Sequence, residues 1–504
     1  MPGLSNSDIS RTSGYQLQKG APVNNAATLP QRVAVFAEMN TANQSTPLTP
    51  VQITSRAQAA ALYGWGSPMD IIFRMLLPAN GGGLDGVQAW AYPQAAAGGS
   101  AANSQSITVT GTATANVTHT LLIGGRAFLE GGSYAINITS GMTATQVATL
   151  IKNTINAVLG CPVTATSASG VVTTLANWTG LTSEDITINV LTNGVAAGMA
   201  YAIAEVAAGS GTPSIAAALA LFANDWNTIV IDSYGILNTA TNTLAVNFNG
   251  NPNTQTGQWA AQNMRPAIYI AGSVLDSTTT SADTVITAAL LNELTMACGP
   301  APLSLNLPME VAAAYALLFA NQANNSTNTD IEGMPLLDIN GPLPGSANPI
   351  QSNNYTLRNA LVQKGMSTII YNNGQYFVQD FVTTYAPTGD PQPVWRYCRD
   401  IAIDCNIKYK FKQMQKTVIE NKQIAADNDI VNAPNVVKPK DIRAALVALA
   451  KECVDEGLMT NAAYMISTIS VVVNPSNVNR FDISFSYDRS GVVRVISNVV
   501  TVYP

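Results

Sequence analysis

Residues 213–232 read PSIAAALALFANDWNTIVID, and the fold class follows from their rhythm. Ser214 to Phe222 is an Ala/Leu run at helical spacing, whereas Thr228 to Asp232 is short, β-branched and apolar almost throughout. A strand without polar alternation has to be covered on both faces, which is the situation of a parallel sheet flanked by helices. The alternation continues downstream with strand Ala267–Ala271, helix Ala282–Ala297, strand Leu303–Leu307 and helix Met309–Ala320. A polar loop over 321–354 leads to helix Thr356–Gln363 and to strands Ser367–Tyr371 and Gln375–Val382. The reading predicts a multidomain α/β protein with a parallel or mixed sheet at its core.

Upstream, the same core has a first part over residues 30–94. Strand Arg32–Glu38 is followed by an Ala-rich helix that Ser55 caps and Gly64 ends, by a second helix from Pro68 to Leu77, and by strand Val87–Tyr92. Residues 1–29 are polar, without helical period, and read as an extended arm. Composition shifts at residue 95: until 211 the chain is rich in Thr, Ala, Ser and Gly and poor in charge. Strands Ile107–Thr110, Thr120–Ile123, Tyr134–Ile138 and Ile186–Val190, with one helix from Thr145 to Val158, predict a β-rich domain inserted into the core, which resumes over 212–389.

Residues 390–504 predict an α+β C-terminal domain. Val394–Gln415 reads as a helix, and Asp441–Glu456 as another, capped by Asp441, striped by Ile442, Leu446, Leu449 and Cys453, and ended by Gly457. Strands Ile469–Val473, Asn479–Tyr487 and Val492–Val502 follow. The last is strongly β-prone and has little chain after it. Such an edge either closes a hairpin in its own sheet or is offered to another chain.

Composition narrows the function. The 504 residues are 47% hydrophobic and only 11% charged, a surface suited to burial against other protein, since interface centres exclude charge. Residues 394–504 carry 14 basic against 11 acidic side chains and the rest 10 against 19, so the C-terminal part is cationic beside an acidic remainder. No apolar run reaches the length of a membrane span and no secretory signal is visible at Met1–Gly20, so assembly in the cytoplasm is expected. The five cysteines form no CxxC pair and read as small buried hydrophobes.

Chemistry is sparse. The single histidine, His119, lies in the inserted region between Thr118 and Thr120, and reads as a satisfied imidazole rather than a general base. No metal-ligand spacing and no phosphate-binding loop occurs, so neither cofactor nor metal is expected. Asp232 ends its strand where open α/β sheets bind ligands, but without a partner it reads as structural. The basic–aromatic run from Trp395 to Lys416 is interleaved with Asp400 and Asp404, which favours a solvated or protein-contacting helix face over nucleic acid.

Several segments, in order, resemble the sheath proteins of contractile bacteriophage tails. They are strand Arg32–Glu38, the run ITSRAQAAALYGWGS at 53–67 with the helix after it, LIGGR at 122–126, GLTSEDI at 180–186 and VQDFVTTY at 378–385. Glu184 and Asp185 stand where the family commonly has Gly-Asn, and Gln379 and Asp380 precede VTTY where an Arg is common. The resemblance implies a core of subtilisin-like shape without the protease triad, a peripheral inserted domain, and a C-terminal domain facing a tail tube. It implies a helical homopolymer of stacked six-fold rings, with tail tube, baseplate and tail terminator proteins as further partners, and neither nucleic acid nor membrane. It also implies terminal strands that add to the sheets of neighbouring subunits. Carried onto this chain, the intersubunit strand is Val492, Val493, Val495, Ile496, Val499, Val500, Val502 and Tyr503, with part of residues 1–29. The tube-facing cations are Arg396, Arg399, Lys408, Lys410, Lys412, Arg443 and Lys451. The expected role is a structural subunit of a contractile virion tail that polymerises and contracts to drive genome ejection. A sheath of a phage-derived bacteriocin or other injection machine shares all these features. A hydrolase on the same core would need a base other than His119, and a surface adhesin would need an export signal.

Overall fold

A computed structural model describes residues 29–494 except 131, 223–224, 236–249, 261–262, 264, 282–295, 388–389, 391–392 and 432. Residues 1–28 of the expected arm, most of the 282–297 helix, and residues 495–504 of the expected terminal strand lie outside the described residues.

Strands β1 (Arg32–Glu38) and β2 (Val51–Ile53), helices α1 (Arg56–Tyr63) and α2 (Pro68–Leu76), and strand β3 (Gln88–Gln94) open the core. Ser55 and Ser67 cap the two helices, accepting from the backbone N–H groups of Gln58 and Asp70, and Pro68 sits in the first turn where its missing N–H costs nothing. The chain then builds β4 (Ser104–Gly111), β5 (Val117–Ile123), β6 (Ala135–Ile138), α3 (Ala144–Ala157), β7 (Val163–Ala168), β8 (Val171–Ala176), β9 (Ile188–Leu191) and β10 (Met199–Ala207). It returns to the core with α4 (Ala216–Leu221), β11 (Ile229–Asp232), β12 (Ile268–Ser273), β13 (Met296–Pro300) and α5 (Pro308–Asn325).

The core sheet has six strands in the order β13-β12-β11-β1-β3-β2, all parallel except β2, which runs antiparallel to β3. Both faces are buried. Val33, Val35, Ile229, Ile231, Ile268 and Ile270 point toward α2 and α5, while Ala34, Phe36, Val230, Tyr269 and Ala271 point toward α4 and its flanks. That two-sided burial is the reason these strands lack polar alternation. Helix α5 lies close on the sheet: a Cβ on Gly272 would fall 1.9 Å from the Pro308 carbonyl oxygen.

The strands from β4 to β10 do not join that sheet. They form a four-stranded antiparallel sheet, β10-β4-β8-β7, and a three-stranded one, β9-β5-β6. Helix α3 packs against both through Val147, Ala148, Ile151 and Ile155, and is started by a Thr143–Gln146 capping box.

Beyond α6 (Tyr355–Gln363) and the hairpin β14 (Thr368–Asn372) and β15 (Gln375–Asp380), helix α7 (Cys398–Val418) is a wall shared by two cores. Its Cys398, Ile401 and Cys405 belong to the main core. Its Ile403 and Ile407 pack with Ile442, Leu446, Leu449 and Cys453 of α8 (Pro439–Asp455), Met465 of α9 (Ala462–Thr468) and Val471 of β16 (Ser470–Val473). Strand β17 (Phe481–Ser484) completes a hairpin with β16.

Four sequence expectations change. Leu303–Leu307 is not a strand; the sheet uses Met296–Pro300 instead, so Met296 and Ala297 are not helical. The 303–307 segment turns through a left-handed Leu303, φ 60°, and its side chains and backbone are bonded across to other loops. Asp441 is three residues inside its helix, not at its cap: Pro439 starts the helix and the Asp441 carboxylate accepts the Lys438 N–H at 3.0 Å. Strands Val163–Ala168, Val171–Ala176 and Met199–Ala207 were illegible among small residues. Val492 to Arg494, the first three residues of the expected terminal strand, form no strand, and Arg494 is bonded instead to the core loop that carries Asp330.

Candidate functional site

The geometry concentrates at the seam where the inserted sheets meet the core. Gly124 and Gly125 both adopt left-handed φ, 54° and 72°, and a Cβ on Gly125 would lie 2.8 Å from Leu305. This turn drives Arg126 inward. Its Nε donates to Glu310 Oε1 at 2.8 Å, Nη1 to Asp338 Oδ1 at 2.8 Å and Nη2 to the Asp338 carbonyl at 2.9 Å. Arg74 of α2 donates to the same Glu310 oxygen. The other Glu310 oxygen accepts Asn306 Nδ2 at 2.8 Å and the Leu307 N–H at 3.0 Å.

Glu310 is wholly buried. Burial works to raise its pKa, but Arg126, Arg74 and the bonds from Asn306 and Leu307 outweigh it and hold the carboxyl below its usual range. Burial, reinforced by Arg126, lowers Arg74 to about 10. One ionised carboxylate thus ties together α2, α5 and the inserted Gly-Gly-Arg turn. A second arginine repeats the device. Arg56 grips the buried Asp70 with two nitrogens, at 2.9 and 3.3 Å, and reaches Glu130 of the inserted region at 2.7 Å.

At the carboxyl end of the sheet, Trp178 donates to the Thr182 hydroxyl at 2.9 Å and Thr182 donates to Glu38 Oε1 at 2.8 Å, while Ser233 donates to the other Glu38 oxygen. Burial keeps the Glu38 pKa raised despite these bonds. Beside it, Asp185 is pushed up to about 7 by burial, by Glu38 and by Glu184. A cleft of about 310 Å³ here is lined by Thr182, Glu184, Asp185, Ser273 and Pro308. Asp232 accepts the Tyr269 hydroxyl of the neighbouring strand β12 and, at 3.1 Å, the Tyr234 N–H just beyond its own strand, so it is fixed within the sheet.

His119 is fully buried, with Nδ1 2.7 Å from the Tyr201 hydroxyl and Nε2 2.9 Å from the Val195 carbonyl. Nε2 therefore donates to the carbonyl, and both ring nitrogens are engaged within the inserted region. All five cysteines are buried, and burial pushes the Cys298, Cys405 and Cys453 thiols up to about 12. Among the described residues no group of three or more His, Cys, Asp or Glu side chains could hold a metal ion, and no helix is long and apolar enough to cross a membrane.

The seven expected tube-facing cations do not share one surface. Arg399 is buried, donating to the carbonyls of Asn328 and Ser490 and pairing with Asp400. Lys410 is buried between Glu452 of α8 and Glu456 at the C-cap of that helix, at 2.7 and 2.8 Å. Arg396 and Lys408 are half-buried, and burial lowers Lys408 to about 8. Lys412, Arg443 and Lys451 are exposed. Of the expected intersubunit strand only Val492 and Val493 are described, and both are exposed.

No family model matches the chain. It is 25% identical over 460 residues to the Mu-like prophage FluMu tail sheath protein of Haemophilus influenzae, an alignment covering 89% of this chain and 88% of the relative. Over most of both lengths the chain is thus similar to a tail sheath protein. Among solved structures it is similar to the sheath tail protein of Desulfitobacterium hafniense, with a TM-score of 0.43, 11% identity and coverage of 95% of this chain and 100% of that one. It is also similar to a chain of the six-fold symmetrised anti-feeding prophage baseplate, with a TM-score of 0.45, 11% identity and coverage of 98% and 99%. The segments that carried the sheath resemblance now have physical roles: Arg56 and Asp70, Gly124–Arg126, and Gly180–Asp185 all lie at the seam between inserted sheets and core.

Two outcomes are expected. Glu310→Ala leaves two guanidiniums buried without their carboxylate and costs about 3–5 kcal/mol in denaturant unfolding, whereas Asp338→Ala, at an exposed side chain, costs under about 1 kcal/mol; equal small losses would remove Glu310 from its central place. Asp185 has a folded pKa near 7, well above the range of a free aspartate, so the folded state holds its proton longer and stability falls as pH rises from about 4 to 7. Asp185→Asn therefore unfolds like the parent near pH 4 and gains about 1–2 kcal/mol at pH 8, part of the full effect being screened by solvent. A gain at pH 4 instead would contradict the assignment.

Proposed function

We propose that the chain is the structural subunit of a contractile phage tail sheath. It polymerises around a tail tube, and rearrangement of its packed subunits drives the tube through a host envelope. The observation that carries this reading is the tail sheath similarity along nearly the whole length of both proteins. The fixed imidazole of His119 and the buried thiols fit a protein without catalysis.

In this reading the particle is the tail of a virion, assembled in the host cytoplasm, and the partners are further copies in stacked six-fold rings, the tail tube, the baseplate and the tail terminator. Residues 30–94 and 212–389 form a core of subtilisin-like outline, 95–211 a peripheral domain, and 390–504 the tube-facing domain. The exposed Lys412, Arg443 and Lys451, with the half-buried Arg396 and Lys408, are the cations that meet the tube. Arg399 and Lys410 serve the interior of their own subunit. The intersubunit strand begins after Arg494, with Val495, Ile496, Val499, Val500, Val502 and Tyr503, and residues 1–29 supply the second one. A donated strand contributes only about 0.5–1.5 kcal/mol per net hydrogen bond, but repetition at every subunit makes the lattice hold.

Sedimentation and negative-stain microscopy of purified protein, alone and with tail tube, test this. Long hollow striated tubes are expected, and truncation after Arg494 should leave folded, dispersed subunits. Dispersed full-length protein in the presence of tube contradicts the sheath reading.

A further inference from the structure

The chain's last described residues are fastened by three arginines. Arg399, inside α7, donates Nη2 to the Ser490 carbonyl at 2.6 Å. Arg489 donates to the Val394 carbonyl at 2.6 Å and stands 3.5 Å from Asp400 and 3.6 Å from Asp404. Arg494 reaches the core itself: Nη2 donates to Asp330 Oδ2 at 2.6 Å, Nη1 donates to Glu332, and the guanidinium lies 3.6 Å from the centre of the Tyr397 ring. The Asp330 side chain is 4% exposed and that of Arg494 17%. A planar cation between two carboxylates and an aromatic face is a site lysine cannot reproduce.

Position makes this fastening notable. Val492 and Val493, immediately before it, are exposed and unpaired in any strand, so packing does not hold the segment; Arg494 does. Its carboxylates belong to the loop after α5, in the core, not to the C-terminal hairpin. This is one place where the cationic C-terminal part meets an acidic neighbour. Residues 495–504 can span at most ~35 Å when extended.

We propose that Arg494 anchors the root of the intersubunit segment, so that residues 495–504 leave each subunit from a fixed point and a pull on them is delivered to the core through Asp330 and Glu332. The proposal rests on the sheath reading and on strand donation by 495–504. A fixed root raises the effective concentration of the segment at its acceptor and removes ordering cost at each joint. Arg494 is a positioning residue: the acceptor contacts are made by the residues beyond it.

The test compares full-length protein with Arg494→Ala, Arg494→Lys, Glu332→Gln and a truncation after Arg494, reading the thermal midpoint of the dispersed subunit and the protein concentration at which tubes form. Arg494→Ala is expected to stay folded, with a thermal midpoint lowered by about 2–4 °C as Asp330 loses its cation, yet to need about tenfold more protein to assemble, the change that one lost charge-assisted cluster of this kind produces. Arg494→Lys and Glu332→Gln should shift assembly by about threefold. If Arg494→Ala is too unstable to purify, those two milder variants decide the matter. Assembly at parental concentration by the Arg494 and Glu332 variants, while the truncation fails to assemble, overturns the anchor and leaves strand donation standing. Normal assembly by the truncation overturns strand donation, and the anchor with it.

Discussion

Glu310 is the constraint on which the arrangement of this molecule depends. A carboxylate wholly inside a protein is tolerated only when cations and hydrogen bonds replace its water. Here Arg74, Arg126, Asn306 and the Leu307 N–H do so at once. The donors come from three separate parts of the chain, α2, the inserted turn and the 303–307 loop, so satisfying the charge brings all three into one register with α5. The loop could not have been a strand and also serve this purpose. Its Asn306 side chain accepts the Asn340 N–H at 2.7 Å, and Asn340 in turn donates to the Gly125 carbonyl at 2.9 Å.

The two arginine locks and the Glu38 contact stand at separate points along the seam, which defines the inserted sheets' orientation against the core by several independent anchors. Charge-assisted, bidentate contacts are directional, unlike apolar packing, which tolerates sliding. For a subunit whose proposed work is to change its contacts with neighbours, this places stiffness inside the subunit and leaves rearrangement to its surfaces. The Glu38 contact differs from the arginine locks. Burial there raises Glu38 and Asp185 rather than holding them ionised, so that end of the seam loses stability as pH rises, whereas the Glu310 end loses it as pH falls into the acid range.

The sheet was legible in the sequence because burial on both faces removes polar residues from its strands, and β1, β11 and β12 show this directly. The strands of the inserted region were legible only in part. VTATSA, VVTTLA and the mostly exposed MAYAIAEVA carry small residues whose alternation is too weak to separate strand from loop or helix. The seam was visible as motifs but not as a site, since Arg126 and Glu310 are 184 positions apart. A signal existed nonetheless. Glu310 is the lone charge in a helix apolar on all sides, PMEVAAAYALLFANQANN, and such a helix is buried, so its acid must be paired. Likewise Arg399, Ile403, Asn406 and Lys410 recur at intervals of three and four, so the two cations share the buried stripe of α7 rather than its outer face. Reading the cluster by charge alone put them at the surface.

The most direct measurement is a helical cryo-EM reconstruction of the assembled particle. A tube of repeating subunits is expected in which the described residues keep their fold, the Arg74–Glu310–Arg126 contact is intact in every copy, and residues beyond Arg494 lie against a neighbouring subunit. Subunits whose inserted sheets have swung away from the core with that contact broken, or a particle in which the chain forms no repeating tube, would contradict it.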